Sequence, residues 1–421
     1  MDASTTAPPP ARNWIGPGLV TGASDDDPSG IATYAQAGAL FGTGMLWVML
    51  FTFPLMSVVQ IASAQVGRVT GRGLAANLAK LMPRWLLVPL LLLLFLVNAI
   101  NIGADLAAMG EAAVLLFPGE KAVYALGFGV LSLLLQVFVP YSRYVNWLKW
   151  LTISLFAYVA TAFSLHVPWG EVLRATLLPH LSPTRDFCSM LVAVLGTTIS
   201  PYLFFWQSAQ EVEEQRAAPD EQPVKCAPEQ ARKQLGDMRA DTLLGMGASN
   251  TVGFFIILTS GLALAPHGIR HIDTAAQAAQ ALQPFAGHWA FLLFTLGIVG
   301  TGLLAIPVLA GSAGYALAEC FAWRRGLERT AAAAPRFYGT IALASVIGIC
   351  IALSHINPMH ALVVTAILNG LVSVPVLAAL MLLATNKALM GDFTIGRAMR
   401  VLGWATTVLM GLAAAGLLWT A

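Results

Sequence analysis

The sequence predicts an all-α polytopic membrane protein of eleven transmembrane helices, arranged as two five-span sets related by inversion plus one further span. Three observations carry this expectation. The 421 residues are 57% hydrophobic and only 10% charged, whereas a soluble domain carries roughly 25% charge. Apolar runs of about 18 residues or more, long enough for a hydrocarbon core of ~30 Å, recur along the whole chain. Two of those runs are broken by Gly, small polar residues and Pro, at Pro28 and Pro201, 173 residues apart. Such a composition excludes an ordinary cytosolic enzyme. Strands of a β-barrel would alternate apolar and polar residues, and these runs do not. With 23 basic against 21 acidic side chains there is no basic face for nucleic acid.

Residues 1–13 read as a short, Pro-rich cytoplasmic tail without the apolar stretch of a cleavable signal. The spans follow at 14–40, 45–66, 86–117, 121–140, 145–166, 189–213, 241–265, 287–320, 338–355, 360–385 and 397–420. Residues 14–166 form the first five-span repeat, 189–385 the second, and 397–420 the eleventh span. With the N-terminus inside, 19 of the 23 basic residues, from Arg12 through Arg68 and Lys149 to Arg400, fall on the inner side. Only Lys121, Arg174, Arg185 and Arg270 fall outside. That skew places the N-terminus in the cytoplasm, the C-terminus outside, and fits an odd number of spans. The connection 211–241 is the one long charged loop, and its charges read as solvated. Cys188, Cys226, Cys320 and Cys350 are isolated and receive no chemistry.

The first span contains Gly22-Ala23-Ser24-Asp25-Asp26-Asp27-Pro28-Ser29-Gly30. One acid at the centre of a membrane helix costs roughly 2.5–3.5 kcal/mol on insertion scales. Three in a row must be paired, solvated, protonated or bound to a cation. Pro28 removes a backbone donor and clashes with the preceding turn, so the helix unwinds and frees carbonyls. Unwound backbone is tolerated in a membrane only where it lines a buried or wet cavity. Carboxylates beside free carbonyls suit a hard cation. Asp27, next to Pro28, is the leading ligand; Asp25 and Asp26 either join it, cap the broken helix or face a vestibule. The sixth span repeats the break at Gly196-Thr197-Thr198-Ile199-Ser200-Pro201-Tyr202. Five spans per set force the second copy to be inverted, and interrupted helices at matching positions point to a transport site at the midplane.

Elsewhere the polar residues are fewer. Asp105 lies mid-span on the third helix, either as an ion or proton relay or as a carboxyl bonded to a neighbouring helix. Glu111 belongs at the outer interface. Thr365 and Asn369 on the tenth span, and Asn250 on the seventh, either face a cavity or bond across helices. His355 and His360 flank an outer loop and read as solvated rather than metal-binding. The 14 Met residues form no cluster at either break and read as core filler.

The stretch GPGLVTGASDDDPSGIATYAQAGALFG, residues 16–42, resembles the first span of the natural resistance-associated macrophage protein (NRAMP) metal transporters, which share its Gly-Pro-Gly opening and Gln-Ala-Gly-Ala exit. The resemblance implies a LeuT-type inverted repeat with spans 1 and 6 unwound at their centres, in a bacterial inner membrane. It implies transport rather than enzyme chemistry, with the metal as cargo and no resident cofactor. It also implies no obligate protein partner beyond the bilayer. Where the family has Asp-Pro-Gly-Asn, this chain has Asp27-Pro28-Ser29-Gly30, so the Asp ligand survives and the Asn ligand is lost at Gly30. The family's Met-Pro-His becomes Ser200-Pro201-Tyr202. By position, the carbonyl ligands fall at Ser24 and near Thr197. Asp105 keeps the first acid of the family's Asp-Leu-Ala-Glu motif; Ala108 replaces its Glu, and an earlier acid is Asn98.

These departures share a direction. A soft thioether favours transition metals, and its replacement by a hydroxyl removes that preference. Mg²⁺ dehydrates reluctantly and keeps several waters, which suits a roomier all-oxygen site; Ca²⁺ would meet the same oxygens. The imidazole, which titrates near neutral pH, is lost at Tyr202, and Asp105, able to carry a proton if burial raises its pKa, has lost its neighbouring Glu, so the expectation is uncoupled carriage of Mg²⁺, with Mn²⁺ also accepted. An inside-negative potential of 100 mV favours entry of a divalent ion by about 4.6 kcal/mol, from ~2.3 per charge. Three rival readings are a proton-coupled Mn²⁺/Fe²⁺ carrier, an amino-acid carrier of the same fold, and an intramembrane Mg²⁺-dependent enzyme. The enzyme would need a second Asp-rich motif with basic residues for a diphosphate.

Overall fold

In the computed structural model, residues 16–141, 143, 148, 150, 152–182, 184–354 and 356–420 are described. The N-terminal tail with Arg12, and also Lys149 and His355, lie outside the described residues. All regular structure among the described residues is helical.

The first expected span is two half-helices, α1 (Pro17–Asp25) and α2 (Pro28–Phe41). Pro28 starts α2, where its missing N–H is no loss, and Asp27 caps it by accepting from the Gly30 N–H at 2.7 Å. The chain continues through α3 (Leu46–Thr70), α4 (Leu74–Leu81), α5 (Arg84–Val114), α6 (Lys121–Phe138) and α7 (Phe156–Ser164). The sixth expected span is likewise broken, into α8 (Arg185–Thr198) and α9 (Pro201–Ala217), with Ile199 and Ser200 between them. Then come α10 (Ala231–Ala263), α11 (Ala290–Cys320), α12 (Pro335–Ala352), α13 (Pro358–Ala384) and α14 (Arg397–Thr420).

Nine helical segments among the described residues are long and apolar enough to cross a membrane. The first span is not counted among them because its halves have only 9 and 14 residues. Within the fifth, 145–166, Leu148 and Trp150 are helical, and so is α7 after a 3-10 turn at Thr152–Leu155. Exposed Leu, Val and Phe side chains run along α5, α6, α12 and α14. An apolar surface this extensive on a helical bundle belongs against lipid.

Two kinds of packing hold the bundle. Helix α10 receives both halves of the broken first span at glycine seams: a Cβ at Gly22 would overlap the Gly245 carbonyl, and one at Gly38 would overlap the Ile257 carbonyl. Small residues let membrane helices approach to backbone contact. Asp241 of α10 accepts from the Gly16 and Gly18 N–H groups at 3.2 and 2.6 Å, which caps α1 from a neighbouring helix. Helices α5, α11 and α12 pack against one another through aliphatic side chains, with Asn98 of α5 donating to the Leu309 carbonyl and the Ser312 hydroxyl at 2.9 and 2.8 Å.

The charged connection 211–241 departs from expectation. Its charges at 211–241 were expected in solvent, but α9 runs to Ala217 and α10 begins at Ala231, which buries several of them. The Arg68 guanidinium of α3 pairs with Glu211, Glu214 and Glu221, and Glu211 is fully buried. Amides extend the network: Gln60 donates to Gln207 at 2.6 Å, Gln207 to Thr242 at 2.8 Å, and Gln215 to Gln234 at 2.8 Å. Val224 and Lys225 donate their N–H groups to the Arg68 and Val69 carbonyls at 3.1 Å.

Candidate cation site

Two broken helices meet at one place. The Tyr202 hydroxyl at the start of α9 donates to the Ser24 carbonyl near the end of α1 at 3.3 Å. The point of convergence is Gly30. A Cβ built there would lie 3.1 Å from Thr197 Oγ1, 3.2 Å from the Asp25 carbonyl oxygen and 3.6 Å from Asp27 Oδ1. Oxygens from both breaks therefore face the same small volume. Asp27, Ser24, Thr197, Ser200 and Asp26 are all at most 4% exposed.

The electrostatics follow from the half-helices. The C-terminal ends of α1 and α8 carry partial negative charge and unpaired carbonyls, which favour a cation. The N-terminal end of α2 carries partial positive charge and steadies the Asp27 carboxylate. That carboxylate is held at both oxygens: Oδ1 accepts from the Gly30 N–H at 2.7 Å and Oδ2 from Asn101 Nδ2 of α5 at 3.1 Å.

The three consecutive acids diverge. Asp25 and Asp26 turn to the Ser249 hydroxyl of α10, at 2.7 and 3.0 Å. One hydroxyl proton serves only one carboxylate at a time, and Asp25 Oδ1 has no partner. Asp26, expected with Asp27, sits with Asp25 instead. Ser24 and Thr197 also differ in detail from expectation. The Ser24 carbonyl is engaged by Tyr202, so the Asp25 carbonyl is the first-span carbonyl beside Gly30. The Ser200 hydroxyl donates to the Gly196 or Thr197 carbonyl at 2.8 or 3.0 Å, which leaves the Ser200 oxygen lone pairs available.

Asp105 of α5 is fully buried beside Asp27; the Ser29 N–H faces its carboxylate, and neither oxygen makes a hydrogen bond of normal geometry. Asn369 of α13 is 2% exposed with an unpartnered Oδ1. Thr365 bonds across helices: its hydroxyl lies 3.3 Å from that of Ser29, which donates to the Leu362 carbonyl at 3.0 Å. Asn250 is half-buried with Oδ1 unpartnered. Glu111 accepts from the Ala275 N–H at 2.8 Å and so ties the start of the short helix Ala275–Gln280 to α5. His360 is exposed, and its N–H donates to Asn357. All four cysteines are free. The sequence reading missed Asn101 and Ser249. Asn101 lies one turn before Asp105 on the same face of an otherwise apolar span, and that spacing was the available signal.

A family model described as natural resistance-associated macrophage protein-like matches residues 18–420. The chain belongs to this family. Among NRAMP relatives, the "divalent metal cation transporter MntH" of Aeromonas hydrophila is 26% identical over 423 residues, with 93% of each chain covered. A crystal structure of the Eremococcus coleocola manganese transporter, in complex with an aromatic bis-isothiourea substituted compound, superimposes with a TM-score of 0.74 at 17% identity. The match covers 98% of this chain and 88% of that one. Mhp1, a nucleobase-cation-symport-1 family transporter, matches in its inward-facing conformation with a TM-score of 0.56 at 16% identity, covering 96% and 90%. The fold is thus the NRAMP version of the LeuT-type inverted repeat, with the unwound segments of spans 1 and 6 face to face.

Proposed function

We propose that this NRAMP-family chain is a secondary carrier of divalent cations by alternating access, favouring Mg²⁺, accepting Mn²⁺, and uncoupled from protons. Its N-terminus lies in the cytoplasm and its C-terminus outside, and residues 14–166 and 189–385 are its inverted repeats. Asp27 neutralises part of the ion's charge. Thr197, Ser200 and the Ser24–Asp25 carbonyls supply neutral oxygens, Gly30 leaves room for retained waters, and Asp26, Tyr202, Asp105 and Asn369 line the approach. The observation that carries this reading is the set of atoms facing Gly30: a carboxylate, a hydroxyl and a carbonyl, all hard oxygens from both broken helices. One carboxylate with neutral oxygens and waters is the manner in which Mg²⁺ is usually held.

A second reading, proton-coupled Mn²⁺/Fe²⁺ transport, is favoured by the relatives, which are named as divalent metal and manganese transporters. Asp105 would then carry the proton. Influx into proteoliposomes of Mg²⁺ and of Mn²⁺, with internal pH followed in parallel, separates the two. The first reading expects saturable Mg²⁺ influx without acidification. Strong Mn²⁺ preference with acidification establishes the second. Asp27→Ala abolishes flux under either reading, and flux at the wild-type rate in that variant removes Asp27 from the site.

A further inference from the structure

Helix α5 contributes a polar seam, Asn98, Asn101 and Asp105, to an otherwise apolar span. Asn98 is spent on α11. Asn101 is different: it is fully buried, and its amide NH₂ donates to Asp27 Oδ2 at 3.1 Å. A carboxylate only accepts, so the amide must turn its NH₂ toward Asp27. That fixes the carbonyl end, Oδ1, on the opposite side, where it has no partner. A buried acceptor left unpaired costs free energy comparable to a lost hydrogen bond. The other orphaned side-chain atoms on Asp25, Asp105 and Asn369 are acceptors too. Water molecules carried by a cation are donors, so they meet this surplus.

Resting on the reading above, we infer that Asn101 is a positioning residue of the cation site. Its NH₂ group locks the Asp27 carboxylate against rotation, and its carbonyl oxygen accepts from a water that the ion retains. It takes over from α5 part of what the side chain missing at Gly30 would have done from α2. Because the bond joins α2 to α5, it also sets how far Asp27 stands from Asp105.

The test uses the full chain in proteoliposomes, with Mg²⁺ as the probe. Asn101→Leu keeps the branched four-atom shape, somewhat larger, and removes both polar ends; Asn101→Ser is shorter, leaves space for water and guards against misfolding of the first variant. Loss of one charge-assisted hydrogen bond predicts a rise in KM for Mg²⁺ of about tenfold or more, with the maximal rate little changed. A residue that only packs would lower the amount of folded protein and leave KM alone. Cys226→Ser, at an exposed position, serves as the control. Wild-type KM in either folded Asn101 variant overturns the inference, even where Asp27→Ala abolishes flux. Flux surviving in Asp27→Ala overturns the underlying site instead, so the two failures are distinguishable.

Discussion

Removing Arg68 tests the account of the charged connection. Glu211 is fully buried, and beyond Arg68 it has the Gln207 amide at 3.4 Å. In Arg68→Ala that carboxylate loses its cation, and breaking a buried pair from one side costs about 3–5 kcal/mol. Glu214 and Glu221, with side chains 39% and 19% exposed, add little, because surface pairs contribute about 0–1 kcal/mol. The double variant Arg68→Ala/Glu211→Gln removes the stranded charge as well and should recover most of the loss. Thermal unfolding of the full chain in detergent reads this as an order: wild type highest, the double variant close below, Arg68→Ala lowest by several degrees. Should the double variant melt no higher than Arg68→Ala, the ion pair is not what holds α3 to α9.

Three further outcomes follow from the packing. Gly30→Asn places a Cβ 3.1 Å from Thr197 Oγ1, tight but tolerable, and its amide displaces water. Because Mg²⁺ resists dehydration, the ratio of KM for Mg²⁺ to KM for Mn²⁺ should rise by roughly tenfold, equal to ~1.4 kcal/mol, in parallel influx assays. Gly245→Val drives side-chain atoms into the Gly18 carbonyl. Since the obstacle is backbone, the cost should exceed the ~1–3 kcal/mol of ordinary overpacking, and size-exclusion chromatography should show loss of monodisperse protein. Asp241→Asn weakens the cap on α1 by about 1 kcal/mol, and hydrogen exchange at Val20 and Thr21 should quicken while exchange in α11 stays unchanged.

Both helix breaks were legible because Pro28 and Pro201 act locally: a missing donor and a steric clash need no tertiary context. Asp27 was legible for a similar reason, since an acid beside a mid-span Pro has few alternatives. What Asp25 and Asp26 do was not, because their direction depends on Ser249, more than 220 residues away. The Arg68 network was hidden likewise. Charge runs near a membrane surface read as solvated, and only the continuation of α9 and α10 beyond the apolar stretch brings Glu211 beneath the guanidinium. Asn101 was visible in sequence but carried no signal apart from its spacing to Asp105.

The distribution of bonds has a mechanical consequence. Helices α1, α2, α3, α9 and α10 are stitched by polar side chains and glycine seams, whereas α5, α11 and α12 adhere mainly through aliphatic surface, with the Asn98 amide of α5 bonded to α11 and Gly103 of α5 set against Gly348 of α12. Hydrogen bonds and backbone interlocks tolerate little sliding, while greasy faces shear over small distances without losing a specific partner. Under the proposed alternating access, the first group would travel as a single stiff plate, and slippage would concentrate along its border with α5, α11 and α12. The Asp27–Asn101 hydrogen bond, from the cap of α2 to α5, spans that border, so the proposed cation site and the proposed plane of motion coincide.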